Sequence, residues 1–322
     1  MQDNIVMSDR YNGYYVAHDI YQDWASVKVI DRLWNKSRDV KLLCLELLDN
    51  VMYRNAFGQW FSQQLEIGSE EIDDFIQMLF NSELPNKYVD VILVSILTSQ
   101  EYVKRFFAQY SAYLTQENYK WLSKLVRVLV VSCQRIHSYA SLNGTQSPFL
   151  VPYGAGWDAT IDFVYEHYEF FYQGNGNKLL NLLSSYALKE DANVDSRRKA
   201  GLMSLRPHER FAKMRQNKQA CFFNNPDSYI QLVYCFSDSI IEELKAIYRK
   251  VLDNNWISHL SPYYELTEYA VRKTNGGILT PICKYAPREL CELMEMYCVE
   301  NNVKKQDEVE TSEPLIQKRL GD

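Results

Sequence analysis

The stretch TQENYKWLSKLVRVLVVSCQRIHSYAS, residues 115–141, decides how the rest of the chain is read. Leu122, Leu125, Val126, Leu129, Cys133 and Ile136 recur at three- and four-residue intervals, the spacing of one apolar helix face. Val128, Val130 and Val131 widen that face, so neighbours are expected on more than one side. Lys120, Lys124, Arg127, Gln134 and Arg135 keep a narrower face in water. Thr115 is placed to cap the start, its hydroxyl accepting a first-turn N–H. The expectation is a central helix of an all-α domain running through to Ser141.

Working towards the N-terminus, Ser99 is placed to cap a helix whose buried side is Tyr102, Val103, Phe106, Phe107 and Tyr110. Val89–Leu97 has the composition of a buried strand, but both neighbours are helical and no partner strand is visible, so helix is preferred. Before Pro85, Ser69 starts a segment with Glu70, Glu71, Asp73 and Asp74 in its first turns, where a helix favours negative charge. Its core side is Ile72, Phe75, Ile76, Leu79 and Phe80. Ser37 is placed to cap Val40, Leu43, Cys44, Leu47, Leu48 and Val51, and an aromatic-rich segment from Tyr11 to Trp34 precedes it. Short connections between successive helices predict antiparallel neighbours. The architecture expected is therefore antiparallel helix pairs in a helical-repeat (HEAT/ARM-like) or superhelical stack, although no residue pattern recurs at a fixed period.

Towards the C-terminus, residues 143–156 carry turn and breaker residues and mark a soft boundary between two lobes, 1–142 and 157–300. Helices are expected over Trp157–Tyr172 and Asn177–Leu188, with Gly174-Asn-Gly-Asn turning the chain between them. Asn225-Pro226 opens a further helix, Ser237 is placed to cap Asp238–Leu252, Pro262 opens Tyr263–Lys273, and Pro287 opens the last helix. Residues 301–322 are too polar to fold and read as a disordered tail.

The insert 189–218 departs from this rhythm, because its apolar periodicity fades. Between 197 and 218, Arg197, Arg198, Lys199, Arg206, Arg210, Lys213, Arg215 and Lys218 face only Glu209, a net charge of +7. The whole chain carries −6, so the remainder carries −13. These eight residues are the candidate contacts for a partner: an acidic protein surface, or nucleic acid with Phe211, Phe222 and Phe223 nearby for stacking. The acidity of the remainder disfavours phosphate.

A hydrophobic share of 47% over 322 residues excludes a wholly disordered chain. No apolar run approaches the ~20 residues a membrane-spanning helix needs. The opening MQDNIVMSDR has no apolar core, so no secretory signal is expected, and seven cysteines, an odd number, suit a reducing compartment inside the cell. Cys44, Cys133 and Cys291 are expected on apolar stripes as inert small hydrophobes.

Catalytic and metal patterns are weak. Cys133 and His137 stand four apart, and on one helix that spacing would bring a thiol beside a base. No third group orients them. Cys283, Cys291 and Cys298 have spacings that match no zinc knuckle. Gly154-Ala-Gly156 lacks the third glycine and preceding strand of a dinucleotide loop. Asp158, Asp162 and Glu166 share a helix face and are read as a solvated acidic face. No cofactor or metal is expected. The chain reads as a non-enzymatic scaffold or adaptor for other proteins within a larger assembly. Its rivals are a nucleic-acid module using 197–218 and an enzyme whose site is assembled from dispersed residues.

Overall fold

The computed structural model describes residues 6–8, 14–16, 19–47, 52–69, 71–140, 146–216, 226–246 and 279–300. Among these the protein is mostly α-helical, with two small antiparallel hairpins. It divides into two compact units, residues 1–200 and 201–322, and the stretch 143–156 lies inside the first.

In the first unit, β1 (Val6–Ser8) pairs with β2 (Tyr14–Val16), and helices follow in close succession. They are α1 (Asp19–Ser37), α2 (Val40–Leu47), α3 (Met52–Ile67), α4 (Ile72–Phe80), α5 (Asn86–Thr98), α6 (Tyr102–Gln109) and α7 (Ser111–Ser132). Then come β3 (Gln134–Ala140), β4 (Gln146–Pro152), α8 (Gly156–Glu166), α9 (Tyr168–Tyr186) and the start of α10 (Val194–Gln216). The odd-numbered helices form one layer, since α1 packs on α3, α3 on α5, α5 on α7 and α7 on α9. A helix that touches the next-but-one helix in sequence is what stacked helix pairs produce. The apolar run Val89–Leu97 is helical within α5, where its all-round greasiness suits burial between α3 and α7.

The core of the first layer is aromatic. Trp34 lies 5.7 Å edge-on to Trp60, Phe57 4.9 Å edge-on to Tyr88, and the Tyr88 hydroxyl donates to the Leu47 carbonyl at 2.8 Å. That single donation satisfies both a buried phenol and an orphan carbonyl at the end of α2.

Several local expectations are corrected. Asp39, not Ser37, caps α2, for its carboxylate accepts the Leu42 N–H at 3.0 Å while the Ser37 hydroxyl donates to Leu33 O. Thr115 is not an N-cap: it ends a helical rod, its hydroxyl donating back to Ser111 O and Ala112 O at 3.1 Å. Gln116 is extended, and Glu117, Asn118 and Tyr119 all take left-handed backbone angles (φ 48, 54 and 59°), breaking α7 into two rods. The helix expected to reach Ser141 stops at Ser132, and 134–140 forms β3, in register with β4 from Gln134↔Pro152 to Ala140↔Gln146. The chain beyond Leu142, expected as loop, includes that second strand. Gly174–Asn177 does not turn the chain but lies within α9, kinked at Asn175 (φ −137, ψ 29), and the break falls at His167. Asn175 is held in the kink because its amide oxygen accepts from Ser123 Oγ at 2.8 Å and Lys178 Nζ at 2.9 Å.

Gly156 explains how closely α8 meets α5. A Cβ there would stand 2.4 Å from the Leu97 carbonyl oxygen, a backbone atom that cannot rotate away. Gly156→Ala is expected to cost on the order of 1–3 kcal/mol by overpacking, read from urea denaturation. A neutral result would show that the α5–α8 approach is looser than described.

The second unit contains the rest of α10, α11 (Pro226–Cys235), a 3-10 turn at Ser237–Ser239, a helix described over 241–246, and helices Leu279–Tyr285 and Pro287–Glu300. Leu205, Val233, Ile240, Leu244 and Ile282 form its core. Ser237 does not cap the following helix, because its hydroxyl donates to Tyr234 O at 2.8 Å. The expectations for 247–278 and for the tail 301–322 lie outside the described residues.

Candidate functional site

Two amphipathic helices with their apolar sides turned inwards leave a groove between their outer sides. On α6, Tyr102, Val103, Phe106 and Phe107 are buried, so Lys104 and Ala108 face out. On α8, Trp157, Thr160, Ile161, Phe163 and Val164 are buried, which leaves Ala159, Asp162 and Glu166 on the other side. Together with Ser111, Ala112, Thr115 and His167 they line an open groove of about 540 Å³. Its floor is small and apolar, with the Phe107 ring tilted 5.2 Å from Phe163 and Phe163 4.6 Å from His167.

Both walls are anchored. The carbonyl of Cys133 accepts from Trp157 Nε1 at 2.8 Å and from the Tyr153 N–H at 3.0 Å, tying α8 to the end of α7. Tyr110 donates to Asp73 at 2.6 Å, and Arg105 lies 3.7 Å from the same carboxylate, tying α6 to α4. Burial, with Asp73 beside it, pushes the Tyr102 hydroxyl up to about 12. The left-handed turn Glu117–Tyr119 lies beside the lining residue His167, with the Tyr119 ring 6.2 Å from it and 6.1 Å from Phe171. Gly174 leaves room for this turn, since a Cβ there would meet Asn118 Nδ2 at 3.3 Å.

The acidic face of α8 is not simply solvated. Asp162 accepts from Lys199 Nζ at 2.9 Å and Ser196 Oγ at 3.0 Å. Asp158 accepts from the Tyr186 hydroxyl and the Asn193 N–H, and pairs with Lys189 at 3.2 Å. Burial raises the Tyr186 hydroxyl far above its ordinary range, with Asp158 adding to the effect. Two of the three carboxylates therefore hold the chain between α9 and α10 in place. Glu166 alone keeps an exposed carboxylate with no partner among the described residues.

Helix α10 carries seven of the eight basic candidates, with Arg197, Arg198 and Lys199 in the first unit and Arg206, Arg210, Lys213 and Arg215 in the second. Lys199 is engaged by Asp162, Arg198 is exposed, and Arg197 and Arg206 are half-buried. Nothing is described of the side chains of Arg210, Lys213 and Arg215, and Lys218 lies outside the described residues. Within α10 the buried side includes Ser196, Ala200, Met203 and Ser204, which gives the segment little apolar periodicity to read.

Cys133 and His137 do not share a helix face, because α7 ends at Ser132 and His137 lies on β3. Burial pushes the Cys133 thiol up to about 12 and the Cys44 thiol up to about 11, which leaves both neutral near pH 7. Cys291, expected on an apolar stripe, is exposed, as are Cys235 and Cys283. Labelling with a thiol reagent at pH 8 is expected to modify those three and spare Cys44 and Cys133 until denaturant is added. Rapid labelling of Cys133 in the folded protein would contradict this.

No protein-family model matches the chain, and no curated protein matches it either. Among the described residues no helix is long and apolar enough to cross a membrane, and no three histidine, cysteine or acidic side chains are grouped to hold a metal ion. Of the acidic face read from the sequence, Asp162 and Glu166 line the groove and Asp158 does not. Lys104 and His167 carried no signal of their own.

Proposed function

We propose that this protein is a helical scaffold that binds another protein, with the groove between α6, α7 and α8 as its contact. The observation that supports this most is the lining itself. Ala108, Ser111, Ala112 and Ala159 let a helix approach closely, Phe107 and Phe163 offer an apolar floor, and Lys104 and Glu166 stand on opposite walls. Such a groove suits an amphipathic helix with small side chains on its buried face and charges at its edges. The basic residues from Arg197 to Lys218 belong to the same proposal as steering charge, drawing in an acidic partner in a salt-dependent way.

The two contributions separate kinetically. Ala108 and Ala112 are exposed, so Ala112→Trp fills the groove without touching the core. Against a purified partner, it should weaken binding at least about tenfold through faster dissociation. Changing the eight basic residues to glutamine should slow association and flatten its salt dependence. Unchanged affinity for the Ala112→Trp variant would remove the groove from the proposal.

A further inference from the structure

The hairpin β3–β4 has one guarded edge and one open edge. The Tyr153 N–H donates to Cys133 O, which makes 133/153 a hydrogen-bonded pair. Since the ladder alternates, 135/151, 137/149 and 139/147 are the further hydrogen-bonded pairs. The intervening residues direct their backbone groups away from the partner strand. On β4 these are Gln146, Pro148, Leu150 and Pro152, so two prolines strip donors from that edge, a common protection against added strands.

On β3 the outward positions are Gln134, Ile136, Ser138 and Ala140, none of them proline and none charged. Among the described residues no backbone hydrogen bond from another element reaches them. Ile136 and Leu150 face each other across a non-hydrogen-bonded pair, where side chains stand closest, yet they are 71% and 54% exposed. An isolated two-stranded hairpin with an apolar outer pair is marginal in water and gains from further strands.

We propose that the free edge of β3 pairs with β3 of a second copy of this chain, giving a two-fold dimer with a continuous four-stranded antiparallel sheet. The argument for a second copy is electrostatic and geometric. In the two-fold register centred on 137, Gln134 falls opposite Ala140, Ile136 opposite Ser138, Arg135 opposite Tyr139 and His137 opposite its own copy, so no arginine meets its copy, and an antiparallel edge paired this way closes on itself. Ile136 and Leu150 of both copies then lie on one face of the joined sheet. This surface is separate from the groove and does not depend on it.

The test uses the full chain, with mass measured by light scattering during size exclusion and backbone exchange measured by deuterium uptake. The wild type is expected at twice the 37.9 kDa chain mass, with slowed exchange over 134–140. Ile136→Lys, which charges the edge, should run at the chain mass with unchanged helical circular dichroism and fast exchange there. Ser138→Pro, which removes one outward donor at a position where an edge tolerates proline, should do the same and serves if the first variant misfolds. A wild type that stays at the chain mass up to its solubility limit overturns the proposal and leaves the edge to a strand of another protein. A dimer that persists in both variants overturns it too.

Discussion

Replacing Lys189 by alanine is expected to lower the free energy of unfolding by about 3–5 kcal/mol, because it removes a buried ammonium shared by two carboxylates. The residue is 5% exposed, and its ammonium donates to Asp191 O at 2.9 Å and Asp191 Oδ1 at 2.8 Å while pairing with Asp158 Oδ2 at 3.2 Å. The buried ammonium thus makes two hydrogen bonds to Asp191 and an ion pair with Asp158. Without them Asp158, which also holds the Tyr186 hydroxyl and the Asn193 N–H, is left as a partly buried anion that has lost its ammonium partner. Lys189→Met should cost nearly as much, since restoring the stem does not restore the charge. Asp158→Asn added to either variant should recover part of the loss. Urea denaturation followed by circular dichroism measures this, and a loss below about 1 kcal/mol would reduce the contact to an ordinary surface pair. The effect also depends on pH. The hydrogen bond from Lys189 holds the Asp191 carboxyl below its usual range, so its contribution is present above the unfolded value and lost as pH falls through the lower folded one. The gap between wild type and Lys189→Ala should narrow below about pH 4.

Phe75→Ala should cost a similar amount, about 3–5 kcal/mol, for a different reason. Phe75 is 1% exposed on α4, and its ring lies 5.4 Å from Trp34, 5.9 Å from Trp60, 5.5 Å from Phe61 and 6.2 Å from Phe57. Those partners belong to α1 and α3, so the cavity would open where three helices meet and none can close it alone. Trp24→Ala removes a larger ring that is 62% exposed, and should change stability by no more than about 0.5 kcal/mol. The pair is read by denaturant midpoint, and equal losses would mean that the aromatic cluster is not the core of the first unit.

The fold class was legible because burial repeats at helical spacing. Ile72, Phe75, Ile76 and Leu79 are a stripe in the sequence and a buried face in α4, and Val89–Leu97 is the helix that its neighbours implied. What sequence could not supply were the places where tertiary contacts override local pattern. Cys133 and Ile136 continue the α7 stripe, but the Cys133 carbonyl is taken by Tyr153 and Trp157 from further along the chain, and the helix ends there. Gly174-Asn-Gly-Asn has the composition of a turn, yet Ser123 and Lys178 bind Asn175 and hold it within α9. Tyr119 gives no sequence sign of its left-handed backbone. The charges behaved likewise: Asp158 and Asp162 read as solvated because Lys189 and Lys199, far along the chain, cannot be placed against them before the fold is known. Half of the candidate groove follows from α8 periodicity, and the half supplied by Lys104 and Ala112 exists only once α6 and α7 pack beside it.

The scaffold reading is tested most directly by placing a photo-cross-linking amino acid at Ala112 in the full chain inside living cells. The expected result is a defined protein adduct, linked through an amphipathic helical segment of that protein, which disappears when Ala108→Trp fills the groove and is absent when the same probe replaces Trp24. No adduct at 112, or the same adduct with the groove filled, would contradict it.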